Sequence, residues 1–574
     1  MGVGISARGQ LNMFDVIVVG SGISGGWVAK ELTEKGLKIL VIERGRHIEH
    51  GVDYTDSMLP WDLPNANRVP EEEARQDYPI QSTVYAFNAA TKHYWVKDSE
   101  HPYSTPDDKP YNWIRGYHLG GRSLMWGRQS YRWNELDFIA NKQDGHGSDW
   151  PIRYADLAPW YDKVEEFAGI SGTFEGIAQL PDGKFLPGMA LNACEADFKA
   201  KVAAAFPDRR VIPSRTANLT VAKPQHEALG RSPCQYRWFC DRGCSYGAYF
   251  SSLSATLPAA RKTGNLTIVT DAIAHSLVLD PRTKRVTGVK AVDANTRVGR
   301  TYEAKAIVLC ASTIPTAMIL LNSRSEAFPN GLANSSGMVG RNLMDHVHGG
   351  ASALAIYAGL EDRYYHGRRP TGFVVPRYRN LKQEEDYLRG YTLGGYAWRA
   401  NWSGVPGVPS GVGAQAKARL RKPGPWMLTF GAAVEMLPNP ENRVTLHPNR
   451  TDKWGMPIAH IEWAPGSNER KLLAAALVDV KAMMDAAGAQ IVQIGDESEP
   501  LRGSIHEMGT AHMGIDPKSS VLNKYNQTHD VPNLFIADGS AMASNGTFNP
   551  SLTYMALAAR GAHYAAEFLR EGRI

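Results

Sequence analysis

The sequence predicts an α/β fold, α+β over the whole chain, in which a mostly parallel sheet is interrupted by an inserted antiparallel-sheet domain. Three observations predict it. An apolar strand, a glycine turn, a helix and a second apolar strand follow one another between residues 16 and 43. Alternating apolar runs crowd residues 265–312 and 346–465. A short strand and an Ala-rich helix close the chain. At 574 residues the chain exceeds the roughly 250 at which one core stops growing, so two domains are expected. With 43% hydrophobic and 21% charged residues it reads as globular, not disordered or coiled coil. Lys+Arg 63 against Asp+Glu 58 leaves +5, too dilute for a phosphate-neutralising surface, so nucleic acid is not expected as a partner. No apolar run approaches the 18 or so residues of a membrane span, so no transmembrane segment is expected. The residues before Phe14 are too short and polar for a secretory leader. Cytoplasm and periplasm both remain open.

The first element is FDVIVVGSGISGGWVAKELTEKGLKILVIERG. A strand from Val16 to Val19 runs into Gly20, Gly22 and Gly25, a helix follows to about Lys35, and a strand from Lys38 to Ile42 ends at Glu43. This is a dinucleotide fingerprint with a physical role for each residue. Gly20 allows the tight turn, Gly22 lets backbone approach a pyrophosphate, Gly25 lets the helix pack on the strand, and Glu43 accepts hydrogen bonds from a ribose. An acid at 43 argues against a ribose 2′-phosphate but does not separate FAD from NAD.

Residues 50–110, rich in Pro, Asp, Tyr and Asn, read as surface loops. In RGYHLGGRSLMWGRQSYRW, Gly116, Gly120, Gly121 and Gly127 would let backbone lie against a flat ring system. Asp156 is placed to cap an amphipathic helix whose Leu157, Tyr161 and Val164 share one face. From Asn265 to Ser312 the runs NLTIVT, SLVLD and VTGVKAV suggest an antiparallel meander returning to a parallel strand in KAIVLCAS. The Pro/Gly-rich stretch at 403–413 predicts a loop or lid within the inserted domain. Near the C-terminus a strand from Asn533 to Ala537 ends at Asp538 and Gly539. Asn549-Pro550 then opens a helix from about Ser551 to Leu569, with Asn549 available as its cap.

Cys194 and Cys310 stand alone, but Cys234, Cys240 and Cys244 fall within eleven residues. Five cysteines are too few for a disulfide framework. The cluster is open to a disulfide from Cys234 to Cys240 or Cys244, a zinc site completed by a distant His, or buried thiols.

In this order the pieces resemble the glucose-methanol-choline (GMC) family of FAD-dependent oxidoreductases. The resemblance rests on GSGISG with Glu43, GGRSLMWG, WPIRYADL, AIVLCAS with LLNSR, VGRNLMDH, LPNPENRVTL, HEMGTAHMG, and NLFIADGS through NPSLTYMALA. It implies a Rossmann-like FAD domain at 1–170, 251–345 and 506–574, an intervening segment at 171–250, and a substrate-binding domain at 346–505. It also implies FAD contacts at Gly20, Gly22, Gly25, Glu43, Gly121, Ser123, Met125, Ala272, Ala311, Asp538, Gly539, Asn549 and Thr553. Some pyranose oxidases attach FAD through a His where Met125 stands, so non-covalent FAD is expected.

The resemblance implies a catalytic pair at His506 and Asn549. Oxidising an alcohol by hydride transfer to flavin N5 requires a group to take the hydroxyl proton, and a neutral His suits that role. Asn549 would orient the hydroxyl and cannot itself be the base. His512 is expected to be structural.

CQYRWFCDRGC resembles the cysteine segment of bacterial FAD-dependent sugar dehydrogenases, and three thiolates suit a three-iron four-sulfur (3Fe-4S) cluster on Cys234, Cys240 and Cys244. Such a cluster would pass electrons to a cytochrome or other external acceptor, with a small subunit as a possible partner. The expected activity is a dehydrogenase of glucosides or free sugars at a ring hydroxyl, resembling glycoside 3-dehydrogenases. Tyr364, Tyr365, Tyr391, Tyr396, Trp398 and Trp402 are candidate sugar-stacking residues. The alternatives are an oxygen-using pyranose or C-glycoside oxidase without a cluster, and a non-catalytic flavoprotein subunit.

Overall fold

Among the described residues a seven-stranded and a six-stranded sheet carry most of the fold, and two large hydrophobic clusters pack on them. The computed structural model describes residues 14–59, 61–364, 369–400, 411–496, 503 and 505–574. Tyr365, Trp402 and all but the last three residues of the 403–413 stretch lie outside them.

The first sheet is built on β1 (Phe14–Val19), α1 (Ile23–Glu34) and β2 (Ile39–Ile42). β1 pairs in parallel with β2, as expected for strands joined by a helical crossover. Val16, Ile17 and Val18 are fully buried, the unbroken apolar run that a parallel strand covered on both faces requires. On the far side of β2 lies β3 (Leu266–Val269), also parallel. NLTIVT therefore belongs to the parallel sheet and not to the meander. The meander is β4 (Ala272–Asp280), β5 (Arg285–Asp293) and the first half of β6 (Gly299–Leu309). The second half of β6 runs between β1 and the late strand Leu534–Ile536, parallel to both. The C-terminal helix Ser551–Arg570 packs against α1, and Ala558, Ala559, Ala562 and Ala566 on it are fully buried.

The helix Tyr154–Ala168 begins one turn earlier than the Asp156 cap implies. Asp156 sits inside its first turn, and its carboxylate accepts from the Arg153 N–H at 2.8 Å, the return half of a capping box. Leu157, Tyr161 and Val164 are fully buried on one face.

The second sheet contains β7 (Ser352–Tyr357), β8 (Phe373–Val375), β9 (Tyr391–Arg399), β10 (Trp426–Val434) and β11 (Gln490–Ile494), in the order β11-β7-β10-β9-β8. Every pairing is antiparallel. A two-residue strand from far upstream, Ile212–Pro213, adds to the β8 edge. The helix Ser467–Ala486 covers this sheet with Leu472, Leu473, Val480 and Met483, all fully buried.

Candidate active site

The turn after β1 depends on two close approaches. Gly20 has φ +99°, and a Cβ there would lie 2.4 Å from the Cys310 carbonyl oxygen. A Cβ on Gly25 would lie 1.9 Å from the Gly20 oxygen. Gly22 has open space instead, with nothing within 4 Å of a Cβ position. Helix α1 starts there without a side-chain cap, which leaves its first N–H groups available to an anion. A cavity of about 330 Å³ takes in Gly20, Gly22 and Glu43 together with His506 and Asn549. Glu43 is buried, and its carboxylate accepts from Ser21 N at 3.1 Å, Ser21 Oγ at 2.6 Å and Gly45 N at 2.8 Å. Burial pushes its pKa above the usual carboxylate value, against the pull of those hydrogen bonds.

Gly121, Ser123, Met125, Ala272, Ala311, Asp538 and Gly539 also line this cavity. Asp538 accepts from Ser312 N at 3.0 Å and Thr316 Oγ1 at 2.6 Å, joining the late strand to the helix after β6. Gly25 and Thr553 stand outside the lining. Gly25 lies beneath the turn, and the Thr553 hydroxyl is 2.8 Å from the Tyr161 hydroxyl.

His506 and Asn549 meet. Asn549 Nδ2 is 3.2 Å from His506 Nε2. Asn549 does not cap the C-terminal helix: Pro550 occupies that position without a side-chain cap, and the amide turns to His506 instead. The His506 main chain is held by its N–H donating to Asp345 Oδ1 at 3.0 Å, and Tyr111 donates to the other oxygen, Oδ2, at 3.0 Å. The loop bearing Asn549 is tied by Asn545 Nδ2 donating to the Asp345 carbonyl at 3.2 Å and by Trp133 Nε1 donating to the Phe548 carbonyl at 3.1 Å.

Sequence reasoning missed three neighbours. His346, in the VGRNLMDH segment, places Nδ1 3.1 Å from His506 Nδ1. His348 brings its ring centroid to 5.6 Å from that of His506. Arg122 makes a two-pronged ion pair with the buried Glu507, at 2.6 and 3.1 Å. The Asp-His pair ending VGRNLMDH was a signal in view, but no local pattern links it to a residue 160 positions away. Burial, with His346, His348 and Arg122 adding to it, holds the His506 pKa well below the ordinary histidine value. A histidine so placed is neutral near pH 7 and can accept a proton.

Of the candidate stacking residues, the described Tyr364, Tyr391, Tyr396 and Trp398 do not line this cavity. Tyr391 is buried and donates to Asp479 at 2.6 Å, while Tyr364 is largely exposed. Tyr396 stacks near Trp398 and reaches Trp238 in the cysteine loop, with ring centroids 5.2 and 5.9 Å apart. Among the described residues, the aromatic side chains on the cavity wall are Tyr85, Trp95, Trp113, Tyr117, Trp126 and Tyr554. His512 is buried away from it, with Nε2 2.9 Å from the Ser519 carbonyl.

Cys234, Cys240 and Cys244 line one separate pocket of about 30 Å³, and none is in a disulfide. Tyr236 and Trp238 between them have φ +55° and +69°, a strained conformation for bulky side chains. Burial pushes the Cys240 thiol up to about 11, with the Arg128 cation acting against it. Among the described residues no three His, Cys, Asp or Glu are grouped to hold a metal ion.

Two family models, both described as GMC oxidoreductase, match residues 14–348 and 438–558. The chain belongs to the GMC oxidoreductase family. It is 27% identical to the fructose dehydrogenase large subunit of Gluconobacter japonicus, over 97% of this chain and 98% of that one. With the 2-methyl-1,2-propanediol dehydrogenase of Mycolicibacterium austroafricanum it shares 29% identity over 96% and 94%. The fold also matches the crystal structure of pyridoxine 4-oxidase from "Mesorbium loti", with a TM-score of 0.61, 18% identity, and 96% and 99% of the two chains covered. The GMC family implies FAD. Three features of one cavity fit that cofactor: the clear approach to Gly22, the uncapped start of α1, and the buried acid Glu43.

Proposed function

We propose that this GMC protein is an FAD-dependent dehydrogenase that oxidises a secondary ring hydroxyl, at C3, of a glucoside or free sugar to the keto sugar. The observation that carries the proposal is His506 Nε2 and Asn549 Nδ2 at 3.2 Å on the wall of the cavity that holds the dinucleotide fingerprint. The sugar assignment draws support from the fructose dehydrogenase large subunit as a full-length relative. When bound, non-covalently here, FAD supplies the hydride acceptor at flavin N5. His506 Nε2 takes the hydroxyl proton as the carbon gives up its hydride, so two electrons and one proton leave on the hydride and the second proton stays on imidazole. Asn549 holds the hydroxyl oxygen in line. Replacing His506 by Ala should slow anaerobic flavin reduction by glucoside at least about a hundredfold. An unchanged rate rejects the assignment.

The same proposal sends electrons to an external acceptor such as a cytochrome through a 3Fe-4S cluster on Cys234, Cys240 and Cys244, with a small subunit as partner. Convergence of the three thiols on one pocket supports it. A cluster gives each thiolate its own iron, so its ligands do not need the tight grouping of a single ion's shell. Iron analysis and EPR of the purified holoenzyme test it. Iron-free active protein, or hydrogen peroxide formed stoichiometrically at full turnover, would favour the oxidase alternative.

A further inference from the structure

We infer that His346 is a positioning residue that locks the tautomer of His506, through a hydrogen-bond chain running from the Gly546 carbonyl to Asn549. This rests on the assignment of His506 as the base. His346 Nε2 lies 2.9 Å from the Gly546 oxygen. A carbonyl only accepts, so this nitrogen carries the hydrogen. In a neutral imidazole the other nitrogen, Nδ1, is then a bare acceptor. It faces His506 Nδ1 at 3.1 Å, so His506 must donate from Nδ1. His506 Nε2 is left as a lone pair, and it points to Asn549 Nδ2, a donor, at 3.2 Å. Donors and acceptors alternate through the whole chain in one arrangement only. That arrangement presents the basic nitrogen to the cavity.

Both ends of the chain are anchored. His346 is the neighbour of Asp345, which holds the His506 main chain, so adjacent residues fix the backbone and the ring of the same histidine. Gly546 has φ +45°, and a Cβ there would lie 2.8 Å from the Trp133 indole. The carbonyl that starts the chain is therefore aimed by a backbone only glycine adopts readily against that ring. Burial, with the neighbouring His348, lowers the His346 pKa to about 3, which keeps it neutral and its Nδ1 an acceptor over the working pH range.

His346→Leu removes the acceptor, while His346→Asn keeps a carbonyl oxygen near the place of Nδ1. Both are compared with wild type and His506→Ala by anaerobic stopped-flow reduction across pH, after confirming equal FAD content. The Leu variant should lose about tenfold or more in the reduction rate at saturating sugar, with the half-saturating sugar concentration little changed. Its acid limb should move down, because the variant loses an acceptor that favours the protonated His506 ring while the neutral His346 carries no charge to repel it. The Asn variant should recover most of the rate. A Leu variant at wild-type rate, or an Asn variant as slow as Leu at equal FAD content, overturns the lock while leaving the base assignment intact. A His506→Ala variant at wild-type rate overturns the base assignment itself.

Discussion

Gly22 and Gly25 stand three residues apart in the same turn, and alanine at each should produce opposite failures. At Gly25 the new Cβ would sit 1.9 Å from the Gly20 oxygen. An ordinary carbon–oxygen contact is at least about 3.3 Å, so α1 and β1 must separate by roughly 1.4 Å. Both elements are fully buried there, with Val16, Ile17, Trp27 and Val28 wholly covered. Overpacking of this kind costs about 1–3 kcal/mol, and the displaced turn no longer presents its N–H groups. Gly22→Ala meets no protein atom within 4 Å and keeps φ −64°, which any residue adopts. Its methyl group projects into the space assigned to the pyrophosphate. The assay is FAD stoichiometry by absorbance, together with urea midpoints of cofactor-stripped protein. Gly25→Ala should lower both midpoint and FAD content. Gly22→Ala should keep the unfolding free energy of the stripped protein within about 0.5 kcal/mol of wild type and lose FAD affinity. Full FAD affinity in Gly22→Ala would refute the placement of the cofactor along this turn.

Two other outcomes follow from the site. Arg122→Gln leaves the buried Glu507 carboxylate without its partner and should destabilise the protein by about 3–5 kcal/mol, whereas the double variant Arg122→Gln/Glu507→Gln should recover much of that loss. Equal midpoints for wild type and the single variant would show that the pair carries no weight. Flavin reduction should stay nearly flat as pH falls from about 8 to 6.5, because His506, the proposed base, is active when neutral and its pKa is depressed by burial first and by nearby His and Arg groups second. An acid limb centred at or above 6.5 contradicts that environment.

The fingerprint was legible because its constraints are local: Gly20, Gly25 and Glu43 act on chain within about 25 residues or on the strand beside them. The late strand and the final helix were legible for the same reason. Asn549 was misread as a cap because local rules cannot see that His506, 43 residues upstream, competes for its amide. NLTIVT alternates equally well in either sheet direction, and only β2 decides that it runs parallel. The tyrosines of β9 carried no information on which face meets the cavity, since burial against the helix Ser467–Ala486 satisfies Tyr391 through Asp479. His346 was in view as a motif, yet its role depends on partners 160 and 200 residues away.

The placement of β6 between β1 and the late strand Leu534–Ile536 has a consequence for how the protein is made. The first strand leaves the ribosome early, but its sheet is completed by residues that emerge 520 positions later, counting from Phe14 to Leu534. At about 5–20 residues per second, nascent β1 and β6 would wait for the C-terminal segment, and β1 would do so for roughly 26–104 s. Once β6 has emerged, one flank of it is an unpaired apolar edge until the late strand arrives, a template for non-native strand pairing. Chaperone cover during synthesis, and an intact C-terminal segment, should therefore govern the yield of cofactor-competent protein.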